Sequence, residues 1–288
     1  MITEIYAYES APSSYQAALF LAGPTPRDSD VASWRLEALA LLHKLEPTID
    51  LVVFIPEPHD GHAHSDYLQQ VTWEQQHLEM ADAILIWLPR DMNTSLKGLT
   101  TNIEFGKYID SGKLFYGRPE HADHVRYLDW LYRDTTARTP QTQLNTLITE
   151  ILTYLTTQLE SSPVKTRVDG ERFVPLMIWQ SKLFQAWYQR QQHVGNQLLK
   201  AKLLWVFILN KLNFTFAYAL HVDVWITAEN RVKNNEFIIS RPDISVVIPY
   251  WKHPTDIMKS EVMLIQEFRA PGRTADGFVY ELPGGSTF

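Results

Sequence analysis

The stretch Ala81-Asp-Ala-Ile-Leu-Ile-Trp-Leu-Pro-Arg-Asp91, followed by Gly98-Leu-Thr-Thr-Asn-Ile-Glu-Phe-Gly106, decides how the first half of the chain reads. Ala83 to Leu88 is a continuous apolar run bounded by turn residues, the pattern of a short strand buried on both faces. A polar loop follows, and then a helix that opens with Glu104 in its first turn. In an open α/β sheet, ligands sit beyond the carboxyl ends of the strands. A carboxylate there can serve as nucleophile or general base. Glu104 is therefore the leading candidate for chemistry on a small polar substrate.

The same reading extends outward in both directions. Residues 17–23 form an apolar run ending in Gly23, and residues 31–46 carry Trp34, Leu39, Leu42 and Leu45 at helical spacing. Leu51 to Ile55 is a second strand, stopped by Pro56. Residues 67–80 fit a helix, Ile103 to Ser111 a short helix ended by Gly112, and residues 113–117 a fourth strand. Residues 140–160 close the set with a leucine- and isoleucine-rich helix. Alternating strands and helices predict an α/β fold with a doubly wound parallel sheet. Ser161 to Pro163 reads as a linker, which gives a first domain over residues 1–162.

Bulk properties narrow the class. The chain has 288 residues, 45% of them hydrophobic, so it can bury a sizeable core. Its net charge of −7 argues against a protein that coats nucleic acid. With 0 Cys, disulfides, thiol catalysis and thiolate metal sites are excluded. The first residues lack the basic and apolar regions of a signal peptide, and the longest apolar run, residues 203–209, falls far short of the about 20 residues a bilayer span needs. These features predict a cytoplasmic protein with no membrane partner.

Four pieces converge at one end of the predicted sheet. Ala22-Gly-Pro-Thr-Pro-Arg27 is a turn between strand and helix, where Gly23 and Arg27 suit an anion. Glu57 follows the second strand between two prolines. Trp73 and Glu74 lie on the next helix, and Asp82 precedes the third strand. Asn102 and Glu104 complete the group. Taken singly, each has an ordinary structural explanation: a turn, a core aromatic, or a charge at a helix end.

Phe20 to Arg27, Ser33-Trp-Arg35, Pro56-Glu-Pro58, Trp73-Glu74, Ala81-Asp82, Trp87 to Asp91 and Thr100 to Gly106 together resemble the nucleoside 2-deoxyribosyltransferase-like family over residues 17–135. The resemblance implies a flavodoxin-like fold. It also implies transfer of 2-deoxyribose between bases, or hydrolysis of the N-glycosidic bond when water is the acceptor. Glu104 would be the nucleophile that attacks the anomeric carbon, and Asp82 would handle the base. Gly23 and Arg27 would hold a 5'-phosphate, although Pro24 and Pro26 remove two amide donors from that turn. Glu57, Trp73, Glu74 and Asn102 would line the substrate site. The partner is then a small nucleoside or nucleotide, not a nucleic acid polymer, with no cofactor for this domain. Related transferases complete their sites across subunits, so a homo-oligomer is expected. A nucleotide-binding regulatory module that lacks turnover is the alternative from a different class.

The second half reads differently. Residues 176–212 are aromatic and are expected to be helical, which makes residues 163–212 a helical connector; Trp179 to Tyr188 reads as packing and Lys200, Lys202 and Lys211 as a solvated face. From Phe214 the pattern turns to strands. Val262 to Arg269 and Val279 to Ser286 resemble the opening of a Nudix hydrolase domain. That resemblance implies an incomplete Nudix-like α+β domain over residues 213–288, with Arg269 and Glu281 as substrate contacts. Mg²⁺ would be needed only if the complete domain were present, for hydrolysis of nucleoside diphosphate derivatives such as ADP-ribose. Because the sequence stops mid-motif, it is expected to be a fragment without that activity. Finally, His59, His62 and His64, with Asp60 and Asp66, have metal-ligating side chains, but the Asp-Gly turn among them favours a loop, and no metal site is assigned.

Overall fold

The computed structural model describes residues 1–27, 31–59, 67–162, 164–209 and 214–286. The chain divides into two compact units, Met1–Ser240 and Arg241–Phe288. The boundaries expected at 162 and 212 therefore fall inside the first unit.

Five parallel strands build the first unit: β1 (Ile2–Tyr6), β2 (Ala17–Ala22), β3 (Leu51–Ile55), β4 (Ala83–Trp87) and β5 (Leu114–Gly117). Their spatial order is β1-β3-β2-β4-β5. Strands β2 to β5 follow the flavodoxin-like order, and β1 adds an edge beside β3. Every residue of β2, β3, β4 and β5 is buried, as a parallel sheet covered on both faces requires. Alternate residues then serve opposite cores. Leu19, Leu21, Leu51, Val53 and Leu85 pack with α1 (Trp34–Leu45) and α5 (Leu144–Glu160). Phe20, Phe54, Ile84 and Ile86 pack with α2 (Tyr67–Met80), α3 (Leu99–Tyr108) and α4 (Arg126–Thr136).

Three expectations need correction. Helix α3 begins at Leu99, not Ile103, so Glu104 lies in its second turn and no acidic residue occupies the first. Strand β1 and helix α4 were not anticipated. Residues 176–212 are helical only as far as α6 (Leu176–Trp179) and α7 (Lys182–His193). Gln197–Leu209 is a long strand, β6, that pairs antiparallel with β7 (Phe214–Ile226), which pairs in turn with β8 (Arg231–Ser240). An apolar run such as residues 203–209 has the same appearance in a buried helix and a buried strand; pairing with β7 decides it. The inner face of this sheet, with Ala201, Leu220 and Val222, belongs to the same core as α1 and α5. Trp179, Phe184 and Tyr188 are buried in that core too, so this aromatic stripe is packing. The connector is thus part of the first domain's body.

The second unit consists of antiparallel ribbons. Ile244–Val246 pairs with Gly284–Ser286, Tyr250–Trp251 with Glu261–Val262, and Ile265–Phe268 with Phe278–Glu281. Among its described residues, none is buried. Among the described residues of the whole chain, no helix is long and apolar enough to cross a membrane.

Candidate active site

The carboxyl edge of the parallel sheet gathers several of the singled-out residues around one buried guanidinium. Ser33 caps α1 by accepting the Arg35 backbone N–H at 3.2 Å, a standard use of a serine hydroxyl. That cap places Arg35 in the first turn with its side chain running inward, only 1% exposed. Arg35 Nε donates to Leu21 O at 2.9 Å and Nη2 to Gly23 O at 2.8 Å. Nη1 donates to Thr25 Oγ1 at 3.2 Å and to Glu57 Oε1 at 2.5 Å. Ser33 Oγ donates to the same Glu57 oxygen at 2.9 Å. One arginine thus fixes the exits of β2 and β3 together.

Gly23 sits at the point where the chain order across the sheet reverses. A Cβ there would lie 2.4 Å from the Trp87 carbonyl at the end of β4 and 2.8 Å from the Trp34 ring. With φ at +153° as well, no other residue fits so close an approach. Arg27 is exposed, and its backbone N–H donates to Ser95 Oγ at 3.1 Å, which ties the β2 exit to the loop before α3.

Glu74 on α2 and Glu104 on α3 face this edge from the neighbouring helices. Gln70 Nε2 donates to Glu74 Oε1 at 2.9 Å, and Tyr8, in the loop after β1, donates to Gln70 Oε1 at 3.5 Å. Burial raises the pKa of the Glu74 carboxyl. Burial and the charge of Glu74 push Glu104 up to about 7, against the opposing pull of Arg35 and Lys107. In the second turn of α3 Glu104 gains little from the helix N-terminus, because the dipole effect fades after the first turn, and desolvation dominates. Two carboxyls thus share this edge with a buried cation, and because the charge of Glu74 raises Glu104, Glu74 gives up its proton first.

Asn102 lies on the same helix, where its side-chain oxygen accepts from Arg90 Nη2. Arg90, 5% exposed, also donates to Gly98 O at 3.2 Å and His124 O at 3.1 Å, and so fastens the start of α3 to the segment before α4. The side-chain nitrogen of Asn102 is what remains to offer a ligand.

Other predicted site residues lie elsewhere. Asp82 is at the amino ends of the strands, opposite Glu104. Its Oδ1 accepts from Arg167 Nη1 and the Leu176 N–H, both at 2.9 Å. Its Oδ2 accepts from Arg167 Nη2 and, at 2.9 Å, from the Ala18 N–H. Both side chains of this pair are 0% exposed. The expected catalytic role for Asp82 is corrected accordingly: a carboxylate sealed at the wrong edge with four donors holds the fold together. Trp73 is corrected as a substrate contact for a similar reason. Its ring stacks on His77 at 4.1 Å, and Nε1 donates to Glu9 O at 2.8 Å, inside the core. Arg269, just past the strand Ile265–Phe268, and Glu281 belong to the second unit and pair as a fork, with Nε donating to Oε2 at 2.9 Å. Of the His/Asp loop only His59 is described; Asp60, His62, His64 and Asp66 lie outside the described residues.

The sequence alone assigns no role to Arg35, within Ser33-Trp-Arg35, or to Arg90. A charged residue one position after a serine cap, preceded by tryptophan, was the available signal for Arg35. Tyr8 and Gln70 carried no signal.

No curated protein matches the chain, and nothing found supports a Nudix domain in its tail. Residues 16–122, which contain Gly23, Arg35, Glu57, Glu74 and Glu104, match the family described as nucleoside 2-deoxyribosyltransferase like, and the chain carries a domain of that kind over this segment.

Proposed function

We propose that the protein cleaves or exchanges the N-glycosidic bond of a 2'-deoxynucleoside or its 5'-monophosphate, with Glu104 as the nucleophile. The observation that carries this reading is the pairing of Glu74 and Glu104 at the carboxyl edge of a sheet whose segment 16–122 matches the deoxyribosyltransferase-like family. In the first step the ionised Glu104 attacks the anomeric carbon. The carbon–nitrogen bond breaks, its electron pair leaves with the base, and a sugar–glutamyl ester forms. The departing nitrogen takes its proton from water, and Glu74, which ionises before Glu104, adds a second negative charge toward the sugar. In the second step water or another base attacks the same carbon and frees Glu104. Positive charge that builds on the sugar in either transition state is stabilised by the carboxylate beneath it. Gly23, Arg27, Glu57 and Asn102 are assigned to substrate binding, and neither step calls on a metal or organic cofactor.

The test is base release from a panel of 2'-deoxynucleosides and their 5'-monophosphates, with and without a free acceptor base. Wild type is expected to release base, and Glu104→Ala to lose at least about a thousandfold in rate, as removal of a covalent nucleophile does. A folded Glu104→Ala protein with undiminished release would overturn the assignment. Stoichiometric nucleotide binding with no release from any member would make the domain a binding module instead.

A further inference from the structure

We infer that Arg35 is the positioning residue of this site: from inside the fold it holds the β2 and β3 exits in place and supplies the buried positive charge that faces Glu104. The inference rests on the reading of the carboxyl edge as the reactive site.

Three observations carry it. The first is geometric. Five hydrogen-bonding contacts converge from Arg35 and Ser33 on Leu21 O, Gly23 O, Thr25 Oγ1 and Glu57 Oε1, so the two loops that would bracket a substrate share one anchor. A planar guanidinium can serve four acceptors in fixed directions, which an ammonium cannot. The second is burial. Arg35 is 1% exposed and its ion-pair partner Glu57 18%, so solvent screens their field poorly and the cation acts across the site at short range. The third is the charge inventory around Glu104. The groups that bear on it are Glu74 from α2, Arg35 from α1 and Lys107 from its own helix. Lys107 is exposed and bonded to Gln75, which leaves Arg35 as the buried cation among them. Arg35 likewise feels Glu57, Glu74 and Glu104 together.

Glu57 then has a second part to play. It orients the guanidinium and at the same time cancels part of its charge, so it sets how strongly Arg35 favours the ionised form of Glu104. Arginine remains protonated throughout the working range, so the cation is constant and only the carboxylates titrate.

The experiment is a carboxyl-carbon NMR titration of glutamate-labelled full-length protein, with the Glu104 signal assigned by its disappearance in Glu104→Gln. Base-release kinetics against pH are measured on the same samples. Wild-type Glu104 is expected to titrate near the value given above. Arg35→Gln should move that midpoint upward, by up to about one pH unit, the effect of removing an opposite charge. Arg35→Lys should keep the midpoint within a few tenths but lose the fork, lowering kcat/KM without shifting its pH limb. Glu57→Gln, which leaves the cation less cancelled and the chain neutral-for-charged at one position, should move the midpoint downward. That variant keeps the inference testable should Arg35→Gln not fold. An unchanged midpoint in folded Arg35→Gln or in Glu57→Gln overturns the inference, as does a midpoint in Arg35→Lys equal to that in Arg35→Gln. Failure of the proposed reaction would show differently: Glu104→Gln would retain base release while the titration shifts remained.

Discussion

The two units of this chain use similar amino acids to opposite effect. In the first, four of the five parallel strands are buried at every position. In the second, Val246, Ile248, Trp251, Met258, Phe268 and Tyr280 are all more than half exposed. The difference is cover: both faces of the parallel sheet lie under helices. Strands β2 and β4 lie about sixty residues apart in sequence yet are direct neighbours, with Leu19 opposite Ala83. Such pairing holds only when helices cover both faces. The ribbons of residues 241–286, whether they close a short loop or join Ile244–Val246 to Gly284–Ser286, bury none of their described residues, and a lone two-stranded ribbon is marginal in water. Apolar content alone does not make a core; topology decides whether it is collected.

This contrast gives its strongest prediction for truncation. A chain ending at residue 240 should melt at the same temperature as the full chain, because it keeps both cores of the first unit. A chain ending at residue 162 should not fold. It loses Arg167, the partner of Asp82, together with Val174, Leu176 and Trp179, all essentially inaccessible to solvent. Circular dichroism and thermal melts of the two chains decide this. A folded 1–162 chain would show that the connector is dispensable after all.

The next largest effect concerns Asp82. Asp82→Asn keeps shape but leaves the Arg167 guanidinium buried without its counter-charge, and breaking one side of such a pair costs about 3–5 kcal/mol. Denaturant unfolding should show that loss across the whole neutral range. A stable Asp82→Asn protein with selectively lost base release would return Asp82 to the reaction. A third pair of variants compares the units directly. Leu85→Ala, at a site 0% exposed in β4, should cost about 2–5 kcal/mol. Tyr280→Ala, at a site 72% exposed, should leave the midpoint within about 0.5 kcal/mol of wild type.

The same contrast explains what could be read from the sequence. The apolar runs at 17–22, 51–55 and 83–87 were legible because a fully buried parallel strand has no polar alternation to confuse it. Helix α1 was legible from its spacing. Strand β1, Ile2-Thr-Glu-Ile-Tyr6, is an edge with one poorly covered face, so its mixed pattern passes unnoticed. Strand β6 was misread because Leu203 to Leu209 carries no period. In the site, Gly23, Glu57, Glu74 and Glu104 were legible as residues at strand exits and on the helices beside them. Asp82 was not, because a residue before a strand lies at the opposite end from a residue after it, and a motif does not say which end does chemistry. Arg35 was missed because its role depends on four acceptors from two loops that only the folded chain brings together.

The pH-dependent effect is the most informative about the site. Glu104 has a folded-state pKa near 7, above the ordinary glutamate value of 4.5, because burial and Glu74 disfavour its charge. Below about pH 4.5 both folded and unfolded chains carry the proton, and the group contributes nothing to the pH dependence. As the pH rises from there toward 7, the unfolded chain releases its proton first, so folding becomes progressively less favourable. Above 7 the penalty is complete, of order 2 kcal/mol for a partly exposed group. Glu104→Gln removes the charge, so it should raise the melting temperature at pH 8 and leave it nearly unchanged at pH 4.5. It should at the same time abolish base release. A gain in stability joined to a loss of activity is the mark of a residue kept at a cost to the fold. If Glu104→Gln were neutral at both pH values, the carboxyl would not be desolvated, and the case for a nucleophile tuned by burial and by Glu74 would fall with it.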